Sequence, residues 1–264
     1  MRRSAYWECT TVDRRAFVFG ATAGALLAAP AFASPSAAIR ARNVVLVHGA
    51  FADGSSWSEV IPRLQVAGLN VTTVQNPLNS LEKDCEYTRR VLALQDGPTV
   101  LAAHSYGGEV ITQIGVDPKV SALVYVAARA PDAGEDYTAL AKTYPASPAS
   151  AGVVNAGGFA QLSEDAFLRD FANGVDPVKA KALHAVQGRI SDKLFSAKVT
   201  EAAWRSKPPF YAVSRQDRTI NPDLERFMAK RMHARTIELD SGHLSLISHA
   251  QAVSQLILQA SDPV

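Results

Sequence analysis

Short apolar runs alternate with stretches of helical spacing along most of this chain of 264 residues. The runs that we interpret as strands lie at residues 43–47, 69–74, 98–103, 121–127, 209–214 and 236–240. Continuous apolar runs of this length are typical of strands that are buried on both faces, and intervening helices connect such strands in parallel. The pattern therefore predicts an α/β fold with a mostly parallel sheet of about six strands, flanked by helices.

The segment between the fourth and fifth runs does not follow this alternation. It holds helical pieces at residues 163–173 and 177–187, which follow a stretch rich in small residues at 145–158. A structureless loop of that length is uncommon in a compact domain. We therefore predict an inserted helical cap at about residues 131–207.

The N-terminus has the layout of an export signal. Arg14 and Arg15 directly precede an uncharged apolar run, residues 17–33, which ends in the triplet Ala-Phe-Ala. A charged region, an apolar region and a small-x-small cleavage site are typical of secretory signals, and the paired arginines are similar to a twin-arginine signal. A spanning helix needs about 20 apolar residues, and glycines and a proline interrupt this shorter run. We expect residues 1–33 to be a cleaved signal peptide, which implies a periplasmic or secreted protein without a stable membrane anchor.

The charge balance excludes several kinds of partner. The formal net charge of +2 comes wholly from residues 1–33, since the remainder carries equal numbers of basic and acidic residues. No basic stripe remains for nucleic acid.

Of the two cysteines, Cys85 alone would survive cleavage, so no internal disulfide is expected. No phosphate loop, nucleotide fingerprint or metal-spaced histidine cluster is found in the sequence, so we expect neither a cofactor nor a metal.

A candidate nucleophile follows the third run. The chain there reads Ala103-His104-Ser105-Tyr106-Gly107-Gly108 and continues into a helix. A strand that leads into small-x-Ser-x-Gly is typical of a nucleophile elbow, a tight turn that needs small residues two positions before and after the serine. Gly107 satisfies the pattern, and Ala103 stands where a glycine is usual. The alternative is an ordinary loop serine, which the flanking strand and helix make less favoured.

A serine hydroxyl is a weak nucleophile and needs a base, which in turn needs an orienting acid. His243 follows the sixth run at the carboxyl edge of the sheet, where the active sites of parallel sheets lie. His249 is the alternative base, although its position is better explained as the start of the last helix. Asp217 follows the fifth run, and Asp132, after the fourth, is the rival acid.

The loop after the first run contains His48-Gly49-Ala50-Phe51. A backbone N–H group from this loop, together with that of the residue after the serine, would hold a developing oxyanion. We predict Ala50 and Tyr106 as the two donors, with Phe51 as an alternative. His48 and His104 are expected to be structural.

In these motifs the chain resembles the α/β-hydrolases, and most of all the cap-bearing bacterial esterases related to plant methylesterases and hydroxynitrile lyases. The residues that carry the resemblance are His48-Gly49-Ala50-Phe51 with Trp57, residues 104–108, residues 217–222, and Gly242-His243 with Ser248-His249. The resemblance implies one hydrolase domain over residues 34–264. It also implies Ser105 as nucleophile, His243 as general base and then acid, and Asp217 as its orienting acid.

The expected activity is that of a carboxylesterase, which cleaves a small to medium apolar ester through an acyl-enzyme. Hydroxynitrile lyases of this group typically have Thr at the position of Gly49 and Lys at that of Leu244, which favours hydrolysis here. Cyanohydrin cleavage, cofactor-free haloperoxidase or perhydrolase activity, and a noncatalytic binding role stay open. Phe51 and Trp204 are the predicted substrate contacts, and the further candidates from the cap are Phe159, Leu162, Phe167 and Phe171.

Overall fold

The computed structural model describes residues 41–262. The predicted signal peptide, residues 1–33, lies outside the described residues. The strands are β1 (Asn43–Val47), β2 (Asn70–Thr73), β3 (Thr99–His104), β4 (Val120–Val126), β5 (Val153–Ala156), β6 (Phe159–Leu162), β7 (Ile190–Ser191), β8 (Pro209–Ser214) and β9 (Arg235–Leu239). The α-helices are α1 (Ile61–Val66), α2 (Leu81–Ala93), α3 (Gly107–Ile114), α4 (Tyr137–Ala141), α5 (Glu164–Ala166), α6 (Pro177–Ala185), α7 (Pro222–Arg231), α8 (Ser245–Ser248) and α9 (Ala250–Ser261).

Six strands form the main sheet, in the order β2-β1-β3-β4-β8-β9. Every neighbouring pair in it is parallel. The central strands β1 and β3 are buried along their whole length, whereas the edge strands β2 and β9 are largely exposed or half-buried. The predicted α/β fold with a parallel sheet of about six strands is thereby confirmed, because its apolar runs are the strands that need burial on both faces.

The helices begin where the local sequence supplies the missing hydrogen bonds. The Ser80 side chain accepts from the N–H of Lys83 at the start of α2, and Glu82 and Asp84 occupy its first turn. Such a cap satisfies an orphan donor, and the acidic residues complement the positive end of the helix dipole. Among the residues described, no helix is both long and apolar enough to cross a bilayer.

The segment between β4 and β8, residues 127–208, is called the insert below. It contains α4, α5, α6 and a single π-helical turn, Phe167–Phe171. The predicted helical pieces overlap α5, the π-helical turn and α6, whereas α4 was not predicted. The insert also contains three short antiparallel strands, β5, β6 and β7, that we did not predict. The turn between β5 and β6 is Gly157-Gly158, both with positive φ, which is a hairpin signal. The strands escaped prediction because each has four residues or fewer and β5 is fully exposed, so no apolar run marks them.

Candidate active site

Three loops at the carboxyl edge of the sheet bring the predicted catalytic residues into one region. Ser105 follows β3, Asp217 follows β8 and His243 follows β9. His243 Nδ1 lies 2.6 Å from Asp217 Oδ2, and both side chains are buried. The His243 ring also lies 4.5 Å, between centroids, from the ring of His104, which directly precedes Ser105. The distant sequence positions therefore converge as the spacing of motifs and strands predicts.

The Ser105 backbone has a φ of 54°, in the left-handed region that a residue with a side chain rarely adopts. Its N–H donates to the Val126 carbonyl, and its own carbonyl accepts from the N–H groups of Gly108 and Arg129, both at 3.0 Å. A Cβ on Gly108 would lie 2.1 Å from the Arg129 carbonyl oxygen, so only glycine fits there. These contacts hold the serine in a strained turn, the geometry expected of a nucleophile elbow.

Asp217 is held by the backbone of its own loop. Its Oδ1 accepts from the N–H groups of Thr219, at 2.6 Å, and Ile220, at 2.9 Å. Its Oδ2 faces His243 Nδ1, so the proton of the neutral imidazole lies on Nδ1. His243 Nε2 is left as an acceptor, and it is buried with no hydrogen-bond partner among the described residues. That atom is therefore available to take a proton from a nucleophile.

A second carboxyl group lies behind Asp217 and was missed by the sequence analysis. Glu225, on α7, is fully buried, and its Oε2 accepts from the N–H of Ser214 at 3.0 Å. Its other oxygen, Oε1, has no hydrogen-bond partner among the described residues, and the Asp217 carboxylate lies nearby. Burial and the nearby Asp217 charge raise the pKa of Glu225 well above its usual value. A protonated Glu225 would donate to the Asp217 carboxylate and help to hold it in place.

The other two buried histidines occupy structural positions. His48 Nδ1 donates to the Gly49 carbonyl, and its Nε2 accepts from the Asn76 N–H at 2.9 Å. His104 Nε2 donates to the His243 carbonyl at 3.1 Å. Burial lowers the pKa of both rings, most strongly that of His104, which keeps them neutral.

The predicted oxyanion donors lie beside the elbow. The backbone N–H groups of Ala50, Phe51 and Tyr106 donate to no group within the described part of the chain. Phe51 has a φ of 57°, and the Tyr106 hydroxyl donates to Asp84 Oδ2 at 2.8 Å, which fixes the residue after the nucleophile. Burial raises the pKa of Asp84 to about 6.

A cavity of about 340 Å³ opens at Ser105. The sheet domain contributes Ala50, Phe51, Ser105, Thr219 and Ile220 to its wall, and the insert contributes the rest, from Arg129 to Phe195. The Phe51 and Phe171 rings meet edge to face, and the Phe171 ring lies 5.1 Å from that of His243. Of the other candidates from the cap, Leu162 lines the cavity, whereas Phe167 lines a smaller neighbouring one and Phe159 lines neither of them.

Trp204 does not lie in the wall of this cavity. Its indole Nε1 donates to the Pro131 carbonyl at 3.0 Å, and its ring packs against the guanidinium groups of Arg205 and Arg231. The expected substrate contact is therefore corrected to a packing position where the insert rejoins the sheet domain. The side chain is almost fully buried in these contacts.

The rival residues lie in other surroundings. Asp132 pairs with Arg205, and His249 hydrogen-bonds with the Ser248 hydroxyl at the start of α9. The part of the chain that the structure describes shows no group of three or more acidic, cysteine or histidine side chains able to hold a metal ion.

An ion pair that reaches the cavity wall through Arg129 was also missed. Arg129 follows β4 and lines the cavity, and its Nη1 lies 3.0 Å from Oε1 of Glu109, in the first turn of α3. A charged residue three positions after the end of a strand, and another in the first turn after the elbow, were the available signals. Both positions face the carboxyl edge of the sheet.

The chain matches the model of a family described as the alpha/beta hydrolase family, over residues 44–256. No curated protein sequence matches the chain closely enough to count as a relative.

Solved structures are similar in fold. A pyrethroid hydrolase from Sphingobium faniae has 20% identity and a TM-score of 0.68, with 84% of this chain and 98% of that one covered. Polyneuridine aldehyde esterase has 18% identity and a TM-score of 0.73, with 84% and 100% covered. A methylesterase from Arabidopsis has 15% identity and a TM-score of 0.68, with 83% and 98% covered.

Proposed function

Because this chain belongs to the alpha/beta hydrolase family, we propose that it is a serine carboxylesterase acting on small to medium apolar esters. The observation that carries the proposal is the buried His243–Asp217 pair beside a serine in a left-handed elbow, at the mouth of a largely apolar cavity. Strain at one residue costs stability of the order of 1–3 kcal/mol, and such strain is concentrated at functional sites.

In the proposed reaction the Ser105 hydroxyl gives its proton to His243 Nε2 while its oxygen attacks the ester carbonyl carbon. The oxyanion that forms is held by the N–H groups of Ala50 and Tyr106, with Phe51 as the alternative donor from the same loop. The intermediate collapses when the C–O bond to the alcohol breaks, and His243 returns the proton to the departing oxygen. The products of this half-reaction are a free alcohol and an acyl-Ser105.

Water completes the second half-reaction. It loses a proton to His243 Nε2, attacks the acyl carbonyl, and forms a second oxyanion in the same place. Collapse breaks the bond to Ser105 Oγ, which regains the proton, and the carboxylic acid leaves. Asp217 keeps the His243 ring in the productive tautomer throughout and stabilises the imidazolium that forms twice in each cycle.

The cavity supports a substrate of modest size. Its volume, about 340 Å³, is at the lower end of the range typical of small-molecule sites. Its wall carries few charged side chains, Arg129 and Asp192. This composition favours an uncharged ester over a strongly anionic one, in agreement with the neutral charge balance that is expected of the mature chain.

The test combines a fluorophosphonate probe with a panel of p-nitrophenyl esters of increasing acyl length. We expect an adduct on Ser105, turnover that is highest for short and medium acyl chains, and loss of both in Ser105→Ala. Ser58→Ala, at an exposed serine outside the site, is the matched control and should behave as the wild type. Labelling elsewhere, or equal turnover by Ser105→Ala, would contradict the proposal.

Each of the alternative functions, lyase, perhydrolase or haloperoxidase, and binding protein, predicts a different result. Release of cyanide from a cyanohydrin at a higher rate than ester cleavage would identify a lyase, and peroxide-dependent chemistry would identify a perhydrolase or haloperoxidase. A folded protein that neither reacts with the probe nor turns over any ester would be a binding protein.

Export through the twin-arginine route to the periplasm or beyond is also a proposal, supported by the arginine pair and the apolar run at residues 14–33. N-terminal sequencing of protein from the periplasm or culture medium should begin at Ser34. Substitution of both arginines by lysine should retain the longer precursor inside the cell. Mature protein that begins well before Ser34 would contradict cleavage there.

A further inference from the structure

Arg129 lines the otherwise largely apolar cavity and forms an ion pair with Glu109, which lies behind the wall. Glu109 is almost fully buried, and the Arg129 side chain is 17% exposed. One guanidinium nitrogen, Nη1, donates to Glu109 Oε1. A buried ion pair contributes little net stability compared with apolar residues of the same size, because both charges lose their hydration. Its place beside the nucleophile therefore calls for a role in the site.

The guanidinium is fixed by aromatic rings. Its central carbon lies 3.9 Å from the centroid of the Phe195 ring and 4.7 Å from that of Tyr137. Both aromatic residues line the cavity with Arg129. The backbone is also fixed, since the Arg129 N–H donates to the Ser105 carbonyl. The group is held ready before any ligand arrives, so little conformational entropy is lost on binding.

Part of the donor capacity of Arg129 is unused. A guanidinium has five N–H donors. In the described part of the chain its side chain donates only to Glu109, through Nη1. Its Nε and Nη2 atoms are not among the buried polar atoms that lack a partner, so they keep accessible surface on a residue that lines the cavity.

The charge of Arg129 is balanced locally. Glu109 lies against it, and Asp192 lines the same cavity. Burial raises the pKa of Glu109, and the Arg129 charge opposes that rise. The wall thus presents N–H donors without a net positive charge. Such a surface suits an uncharged oxygen acceptor better than a carboxylate, whose charge would meet both acidic groups.

On the basis of the proposed esterase function, we infer that Arg129 selects esters that carry a second, uncharged oxygen acceptor remote from the scissile carbonyl. A ketone, an ether or a second ester carbonyl has the required chemistry. The apolar remainder of the substrate would lie against Phe195 and the other apolar residues of the wall. Glu109 is the positioning residue that holds the guanidinium in place and offsets its charge.

The experiment compares matched substrates. The pair is p-nitrophenyl hexanoate and p-nitrophenyl 5-oxohexanoate, with a second pair in which the ketone is in the alcohol part. The ratio of kcat/KM, keto over alkyl ester, should exceed one in the wild type for at least one pair. In Arg129→Met the ratio should fall roughly tenfold or more, the usual effect of losing a hydrogen bond from a charged donor.

Two further variants keep the test decisive. The double variant Glu109→Leu with Arg129→Met removes the pair without leaving a buried charge. It replaces the single variant if Arg129→Met does not fold, and we expect the same fall of roughly tenfold or more in the ratio of kcat/KM. Arg205→Met is the matched control. Arg205 also pairs with an acid and stacks on an aromatic ring, but it lies outside the cavity wall. Its ratio should equal that of the wild type.

The charge argument has its own test. The monosuccinate ester of p-nitrophenol carries a carboxylate near the place of the ketone, and the wild type should turn it over more slowly than the keto ester. Glu109→Gln removes the balancing charge and should raise its relative kcat/KM. Two outcomes would overturn the inference about Arg129 and leave the proposed esterase function standing. One is a wild-type preference for the monosuccinate over the keto ester, and the other is an unchanged keto-to-alkyl ratio of kcat/KM in an Arg129→Met variant that still cleaves esters. Absence of turnover with every ester would contradict the proposed function as well.

Discussion

The carboxyl edge of the sheet and the insert contribute different things to one site. At the sheet edge, the polar groups of Ser105, Asp217 and His243 are buried and held by backbone hydrogen bonds of tight loops. The insert contributes most of the cavity wall through short helices and strands. The sheet edge thus holds the predicted catalytic groups in fixed positions, whereas the insert forms most of the surface that a ligand in the cavity would meet.

The two regions are also connected. Asp170, on the π-helical turn of the insert, is fully buried and accepts from Arg218, next to Asp217. Asn173 Nδ2 donates to the Gln216 carbonyl, one residue before Asp217. The insert therefore holds the loop that carries Asp217, so the two regions are not structurally independent.

The largest effect is expected at the sheet edge itself. Asp217→Asn preserves the shape of the acid but favours the wrong His243 tautomer, and kcat should fall about 10⁴-fold. Asp132→Asn, which affects the ion pair with Arg205 and a hydrogen bond from the Ala133 N–H, should change kcat less than twofold. Circular dichroism should show that both variants fold. A loss below tenfold in Asp217→Asn would mean that this residue does not orient the base.

A pair of glycine substitutions compares the regions directly. Gly108→Ala would place a Cβ against the Arg129 carbonyl, and we expect about 3 kcal/mol lower stability, because the backbone there cannot move freely. Gly134→Ala, in the insert, meets no atom within 4 Å but has a φ of 75°. It should cost about 1 kcal/mol. Urea unfolding measures both, and equal losses would contradict the tighter packing of the sheet edge.

The pH dependence of stability tests the support beneath the elbow. Asp84, which accepts from Tyr106 and from the Leu78 N–H, has a pKa raised by burial to about 6, against about 3.9 when unfolded. The folded state thus binds the proton more tightly, and stability falls as the pH rises from about 4 through 6. The expected loss is about 3 kcal/mol.

Asp84→Asn should remove that loss while keeping the shape of the side chain. The measurement is urea unfolding of both proteins at pH 4.5 and 7.5. Asp132 gives a control of opposite sign, because its ion pair with Arg205 lowers its pKa and its contribution is lost as the pH falls. Parallel curves for the wild type and Asp84→Asn would contradict the prediction.

The smallest effect is expected where the insert holds the loop of Asp217. Asp170→Asn weakens the link to Arg218 and should lower kcat about tenfold, with a stability loss of about 1–2 kcal/mol. Asp165→Asn is the matched control, because Asp165 also pairs with Arg169 but is largely exposed, and exposed pairs contribute less than about 1 kcal/mol. Equal kinetic effects of the two variants would show that the insert does not position the acid.

The sequence predicted the sheet edge better than the insert. The buried strands are continuous apolar runs, and parallel strands place their following residues at one edge, so the convergence of Ser105, Asp217 and His243 was predictable. Their catalytic roles stay predictions. The strand β5 was not predictable from burial, since its side chains are exposed. The strands β6 and β7 contain buried residues, but they are too short to form an apolar run that marks a strand.

The residues that the sequence analysis missed have another cause. In the sequence, Glu109 and Glu225 are indistinguishable from ordinary surface acids of a helix. What sets each apart is a neighbour that only the folded structure brings close. For Glu109 the partner is Arg129, and for Glu225 it is Asp217. Trp204 was misjudged for the reverse reason, because its place at the junction says nothing about which way the indole faces.

The left-handed turn at Ser105 also has a consequence for the order of events during folding. Its contacts come from two other pieces of the chain: the Val126 carbonyl and the Arg129 N–H at the end of β4, and Asp84 of α2, which contacts the neighbouring Tyr106. We expect a refolding chain to keep that backbone angle only after both pieces have docked on β3. Helix and strand signals should therefore recover before the probe labels Ser105, and Ser105 should be among the last residues to reach its folded conformation.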